Sequence, residues 1–163
     1  MREVDNPAAL LVMALQDLYD GEQAMAQRLP VVHDHARDPA LRSLIKEDAA
    51  RSHRQRDQLA AIARSIGAEP RGDSNIWLRA ILDDADNDAS SIAAGPLRDT
   101  ALIGALRKAK QAERVSYETA MVLAGRLSLH EAMGTLTLIR NEEQTADNAL
   151  ATLLESMTLE KAT

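Results

Sequence analysis

Four long stretches of this chain repeat an apolar residue every three to four positions, and each breaks its own pattern at polar residues deep inside the repeat. That period belongs to an amphipathic helix with one face turned to a core. The first stripe runs Leu11, Leu15, Leu18, Met25 and Leu29, with Glu22 where the next apolar residue is due. The second reads Leu41, Ile45, Asp48, Ser52, Gln55, Leu59, Ile62 and Ile66, so successive core positions are polar. The third carries Leu102, Leu106, Ala109, Glu113, Tyr117, Ala120 and Ala124, and the fourth Met133, Leu136, Ile139, Glu143, Ala146, Leu150, Leu153 and Met157. A buried carboxylate without a partner costs several kcal/mol or stays protonated. Acidic residues on several buried stripes therefore demand a fold that brings them to a shared counter-charge.

Punctuation marks the helix ends. Asn6-Pro7 pairs a capping side chain with a proline at the first helical position, where the missing N–H is harmless, and Asp38-Pro39 repeats the device. Gly67 reads as the C-cap of the second helix. These signals predict helices over about residues 7–36, 39–67, 96–128 and 130–157, with LEKAT (159–163) as a frayed tail. Between the second and third lies a crossover of about residues 68–95, turn-rich at AEPRGDSN and then amphipathic at NIWLRAILDDADND. Trp77, Leu78, Ile81 and Leu82 give that short fifth helix an apolar face that should dock on the bundle or across a dimer. Two tight helical hairpins joined by one long connection predict an all-α fold, a ferritin-like four-helix bundle in one domain, residues 1–163.

Register places the polar breaks at one height. Antiparallel helices on a short turn bring together residues equally far from it, since each residue advances ~1.5 Å. Glu113 and Glu143 lie 15 residues either side of residue 128, the centre of the last turn. Glu22 lies 16 residues before residue 38, so its opposite on the second helix is near residue 54, between Ser52 and Gln55.

The chain contains no Cys, so any metal must be held by oxygen or imidazole. Nineteen Lys and Arg against 25 Asp and Glu, a net charge of -6, argue against nucleic acid as a partner. No run approaches the length of a membrane span, and the N-terminus lacks a signal-peptide pattern, which together predict a cytoplasmic protein. No phosphate-binding glycine loop, Ser-His-Asp set or Cys nucleophile supports a hydrolase or nucleotide-binding reading.

At LQDLYDGEQ, GPLRDTALIGAL and NEEQTADNAL the chain resembles the YciE/YciF-like family of the ferritin-like superfamily, over roughly residues 8–156. The resemblance implies a bundle, commonly a homodimer, associated with stress responses and with a candidate metal centre between the helices. It implies acidic site positions at Glu22, Glu113, Glu143 and Asp147. The chain departs from the family's pattern on the second helix, with Asp48, Ala50, Ser52 and Gln55, and at Lys110, three residues before Glu113. It also lacks both Glu-x-x-His pairs of a diiron bundle, offering Ser52-x-x-Gln55 and Glu143-x-x-Ala146.

The residues thus nominate Glu22, Gln55, Glu113, Glu143 and Asp147 for a hard ion, iron or manganese, with any activity a metal-dependent oxidoreductase reaction. A metal-free structural or interaction protein is the alternative, with Lys110 and Arg140, each one turn before a core glutamate, neutralising the carboxylates. His53 is at the right depth but about 100° round the helix, and His33 and His35 are two apart, so all three are expected outside any site. Tyr19 and Tyr117, within about a turn of Glu22 and Glu113, either pack in the core or hydrogen-bond the carboxylates.

Overall fold

Caps and prolines start the helices where the sequence places them. In the computed structural model, which describes residues 3–157, Asn6 Oδ1 accepts from Ala9 N at 2.9 Å and Asp38 Oδ1 from Leu41 N at 3.0 Å. The helices are α1 (Pro7–His35), α2 (Pro39–Ser65), α3 (Ile76–Ser91), α4 (Pro96–Arg126) and α5 (His130–Ser156). α1 is helical straight through Pro30. Gly67, at φ +76°, turns the chain out of α2 in the left-handed region that suits glycine. The expected C-terminal tail lies outside the described residues.

The helices assemble as two hairpins, α1 with α2 and α4 with α5, which meet through α1 against α4 and α2 against α5. α3, the crossover helix, lies across α1 and α4. It runs parallel to α1: Trp77 donates to Asp17, Arg79 pairs with Asp20, and Asp83 and Asp86 pair with Arg28. The fold is the all-α, ferritin-like arrangement expected, and the long connection carries the chain back along the bundle before α4 begins.

Much of the first-helix motif anchors this crossover. Asn75, fully buried, caps α3 by accepting from Leu78 N at 2.8 Å. Its side-chain amide donates to Asp17 O at 3.1 Å, and its backbone N–H donates to Asp20 Oδ2 at 2.6 Å. Gly21 permits the approach, because a Cβ there would stand 2.9 Å from Asn75 Nδ2 and 3.0 Å from Leu78 Cδ2. Asp17 and Asp20 thus hold α3 outside the bundle, while Glu22 faces inward.

The start of α4 is tied to the α1–α2 turn by Asp99, which is 2% exposed. Its carboxylate accepts from Arg37 N at 3.0 Å and Asp38 N at 2.7 Å. Asp99→Ala would strip two backbone donors of their partner and is expected to cost about 2 kcal/mol in urea unfolding, with Asp99→Asn recovering part of it. No change in the unfolding midpoint would show that water replaces the carboxylate without loss.

The apolar core is split in two. Met25, Leu29, Leu41, Ile45, Leu82 and Leu106 belong to one cluster. Leu11, Leu15, Leu59, Leu123, Leu136 and Ile139 belong to the other. Between them lies a polar layer.

Candidate metal centre

Each central helix contributes buried polar side chains to that layer: Glu22 from α1, Asp48, Ser52 and Gln55 from α2, Lys110 and Glu113 from α4, and Glu143 from α5. None is more than 5% exposed. The apolar stripe above and below each residue seats the helix, so a polar residue in register with the stripe has nowhere to point but inward.

Lys110 occupies the centre. Its ammonium Nζ lies 2.7 Å from Glu143 Oε2, 2.9 Å from Asp48 Oδ1 and 3.1 Å from Glu113 Oε2, reaching three helices. Glu22 stands beside this group and is held by Tyr117, whose hydroxyl donates to Glu22 Oε1 at 2.7 Å. One oxygen each from Glu22, Glu113 and Glu143 lie within 4.8 Å of one another. Oxygens sharing one ion are separated by at most twice the metal–oxygen distance, about 4–5 Å, so this spacing suits a single hard cation. Glu22 Oε2, Glu113 Oε1, Glu143 Oε1, both polar atoms of the Gln55 amide and Ser52 Oγ are buried without a hydrogen-bond partner.

Burial and crowding set the protonation. Burial pushes the Glu22 carboxyl up to about 8, and Glu143 adds to the effect against the opposing pull of Lys110 and Tyr117. Glu113 is driven well above the usual carboxylate range by burial and then by Glu143. Burial also raises Asp48, against the pull of Lys110 and Arg51. Glu143 alone is lowered: burial opposes ionisation, but Lys110, Glu113 and the adjacent Gln55 amide together outweigh it. Lys110 is held well above its ordinary value because its carboxylates outweigh the cost of burial. Tyr117 is raised by burial and the charges around it, so it remains a hydroxyl donor.

Glu143 faces Lys110, and Asp48 faces both Lys110 and Arg51, whose Nη1 lies 3.0 Å from Asp48 Oδ1, while burial favours a proton on each of Glu22 and Glu113. A dication displacing those two protons would leave the net charge of the layer unchanged.

A cleft of about 110 Å3 between α2 and α5 reaches the layer from outside, lined among others by Leu44, Asp48, Arg51, Leu106, Ala146 and Leu150. Asp48 and Glu47 form the acidic part of its wall. Arg51 spans the cleft, pairing with Asp48 on its own helix and lying 3.7 Å from Glu142 on α5.

Of the residues nominated from sequence, Glu22, Glu113, Glu143 and Gln55 meet in this layer. Asp147 is buried elsewhere: Arg107 Nε donates to its Oδ1 at 2.8 Å, and it stands outside the glutamate group. Arg140 does not neutralise the layer. Its Nε lies 3.9 Å from Glu118, and its side chain is 32% exposed. Lys110 does face the carboxylates, with Arg51 as the second cation, a role the sequence reading did not assign to Arg51. Asp48 was also missing from the nominated ligands, although its place on the α2 stripe marked it as a buried polar residue. His53 is exposed, while His33 and His35 sit half-buried at the end of α1. Tyr19 packs beside the core, and Tyr117 makes the carboxylate hydrogen bond. None of the described helices is long and apolar enough to cross a membrane.

Comparison with known proteins agrees with the architecture. Residues 6–163 match the family described as "Domain of unknown function (DUF892)". No curated protein matches the chain. Among solved structures, the chain is similar to YcfI of Rhodopseudomonas palustris, described as a candidate structural protein, with 24% identity, a TM-score of 0.88, and 97% of this chain and 98% of that chain covered. It is also similar to the E. coli stress protein YciF, with 21% identity, a TM-score of 0.90, and 93% and 96% covered. At these identities the likeness is one of fold.

Proposed function

This chain belongs to the DUF892 family, and from the carboxylate layer in its bundle we propose that it is a ferritin-like, stress-associated protein that binds a divalent metal ion there. Glu22, Glu113 and Glu143 are the ligands in this reading, and Gln55 is a neutral oxygen donor beside them. The carrying observation is the convergence of three buried glutamate oxygens within 4.8 Å, with one oxygen of each glutamate outside the contacts made by Lys110 and Tyr117. All-oxygen ligation without imidazole or thiolate favours a hard ion, and iron or manganese fits that description.

When bound, such an ion would supply Lewis acidity and, for iron or manganese, one-electron redox capacity. The chain's own residues fix what surrounds it. Tyr117 orients Glu22 through one oxygen and leaves the other free. Lys110 keeps Glu143 ionised and ready to accept a cation. The α2–α5 cleft reaches Asp48 and Arg51 at the edge of the layer. The layer has no histidine, so turnover at such a site is expected to be weak. A stress role is suggested by the likeness to the E. coli stress protein YciF, and assembly as a homodimer belongs with it.

The test is metal analysis of protein purified from medium supplemented with iron or manganese, beside the Glu22→Ala/Glu143→Ala variant. Near-stoichiometric metal in the parent and loss of most of it in the variant is expected. Equal metal content in the two would remove the proposal. The competing reading is a metal-free structural protein, favoured by the contacts of 2.7–3.1 Å that Lys110 already makes with three carboxylates. It requires a thermal midpoint indifferent to both chelator and manganese.

A further inference from the structure

The oxygens of the layer divide into two sets by whether the ammonium of Lys110 reaches them. Asp48 Oδ1, Glu113 Oε2 and Glu143 Oε2 surround the ammonium of Lys110 at 2.7–3.1 Å. Glu22 Oε2, Glu113 Oε1, Glu143 Oε1 and Gln55 Oε1 are equally buried and have no hydrogen-bond partner. Glu113 and Glu143 thus contribute one oxygen to each set. A pair of carboxylates shared in this way links two neighbouring places for positive charge, and one of them is filled by a side chain.

An ammonium is a compact monocation with three donors, and here three carboxylates take up its hydrogen-bonding and ion-pairing capacity. Lys110 is fully buried, so bulk solvent does not compete for those contacts. Its tether is covalent. Unlike a solution ion, it cannot be exchanged for anything.

We propose that Lys110 is a built-in cation occupying one of two adjacent cation positions, and that it limits the layer to a single divalent ion. The proposal deepens the metal-binding reading above and rests on it for the second position. Removing the side chain beyond Cβ would free both the space and the carboxylate oxygens. A second ion would enter where the ammonium had been. Removing the charge while keeping the volume would leave the capacity unchanged but relieve the repulsion between the ammonium and the bound dication.

Equilibrium dialysis against Mn2+ alone measures the capacity, with Glu143→Ala as the control for binding outside the layer. The unmodified chain is expected to bind one ion, Lys110→Ala two, and Lys110→Gln one, at least about tenfold more tightly than the unmodified chain. Should Lys110→Ala fail to fold, the affinity of Lys110→Gln carries the test, and an unchanged or weaker affinity overturns the proposal. Capacity in a folded Lys110→Ala no greater than in the unmodified chain overturns it directly. An unmodified chain that binds nothing beside a Lys110→Ala variant that binds at least one ion supports Lys110 as the internal cation, while overturning the resident-metal reading. No binding by either overturns both.

Discussion

Lys110→Met is expected to destabilise the metal-free protein by about 3–5 kcal/mol at pH 7, the usual cost of leaving one side of a buried ion pair uncompensated. Methionine fills much of the same volume, so little of the loss would come from a cavity. What disappears is the ammonium lying within 3.1 Å of Asp48, Glu113 and Glu143. Protons can take over part of its role, so the penalty should shrink towards pH 5. Adding Asp48→Leu should restore part of the stability at pH 7, because it removes one of the stranded acids along with the base. Urea unfolding in chelator checks both steps. A loss under 1 kcal/mol for the single variant would mean that the layer is neutralised by something other than Lys110.

Stability of the metal-free protein is expected to fall by several kcal/mol as the pH rises from about 4.5 to about 8. Glu22 ionises near 4.5 when unfolded but is held protonated to about 8 when folded. Within that window the folded state keeps a proton that the unfolded state has released, so raising the pH favours unfolding. The contribution is fully present below 4.5 and gone above about 8. Glu113, raised well above 4.5 by burial and Glu143, acts in the same direction. Glu143 is lowered, and its contribution is lost only as the pH falls below 4.5, outside the window. Saturating manganese should flatten or reverse the slope, since an ion that displaces these protons binds better as the pH rises. Urea midpoints at pH 5, 6.5 and 8 provide the measurement, and a midpoint that is flat or rises without metal would contradict the assigned protonation.

The convergence of Glu22, Glu113 and Glu143 was legible because it depends on backbone geometry alone. Position along a helix sets both height and angle, and the short turns set the register of each hairpin. The same logic placed Gln55 correctly. It failed for Asp48, six residues from position 54 and thus ~9 Å along the axis, because register treats residues as points on the backbone. The extended Lys110 side chain crosses that offset. Asp147 failed differently: it lies one turn from Glu143 on the buried face, but Arg107 on α4 engages it first. Within LQDLYDGEQ the stripe sets Glu22 apart for the core, but only the structure shows that Asp17 and Asp20 serve α3.

By itself the sequence determined the helices, their caps, the long crossover and the shared depth of the core glutamates, all of which follow from local backbone chemistry and a fixed rise per residue. Only the tertiary structure decided which cation meets which acid: Lys110 and Arg51 at the layer, Arg107 at Asp147, and Arg140 outside with Glu118. Lysine and arginine carry charge at the end of long rotatable stems, so their partners are selected by neighbouring helices and by burial. Spacing along the chain therefore located the carboxylates and the nearby Lys110, but not Arg51 or the partners that Arg107 and Arg140 take.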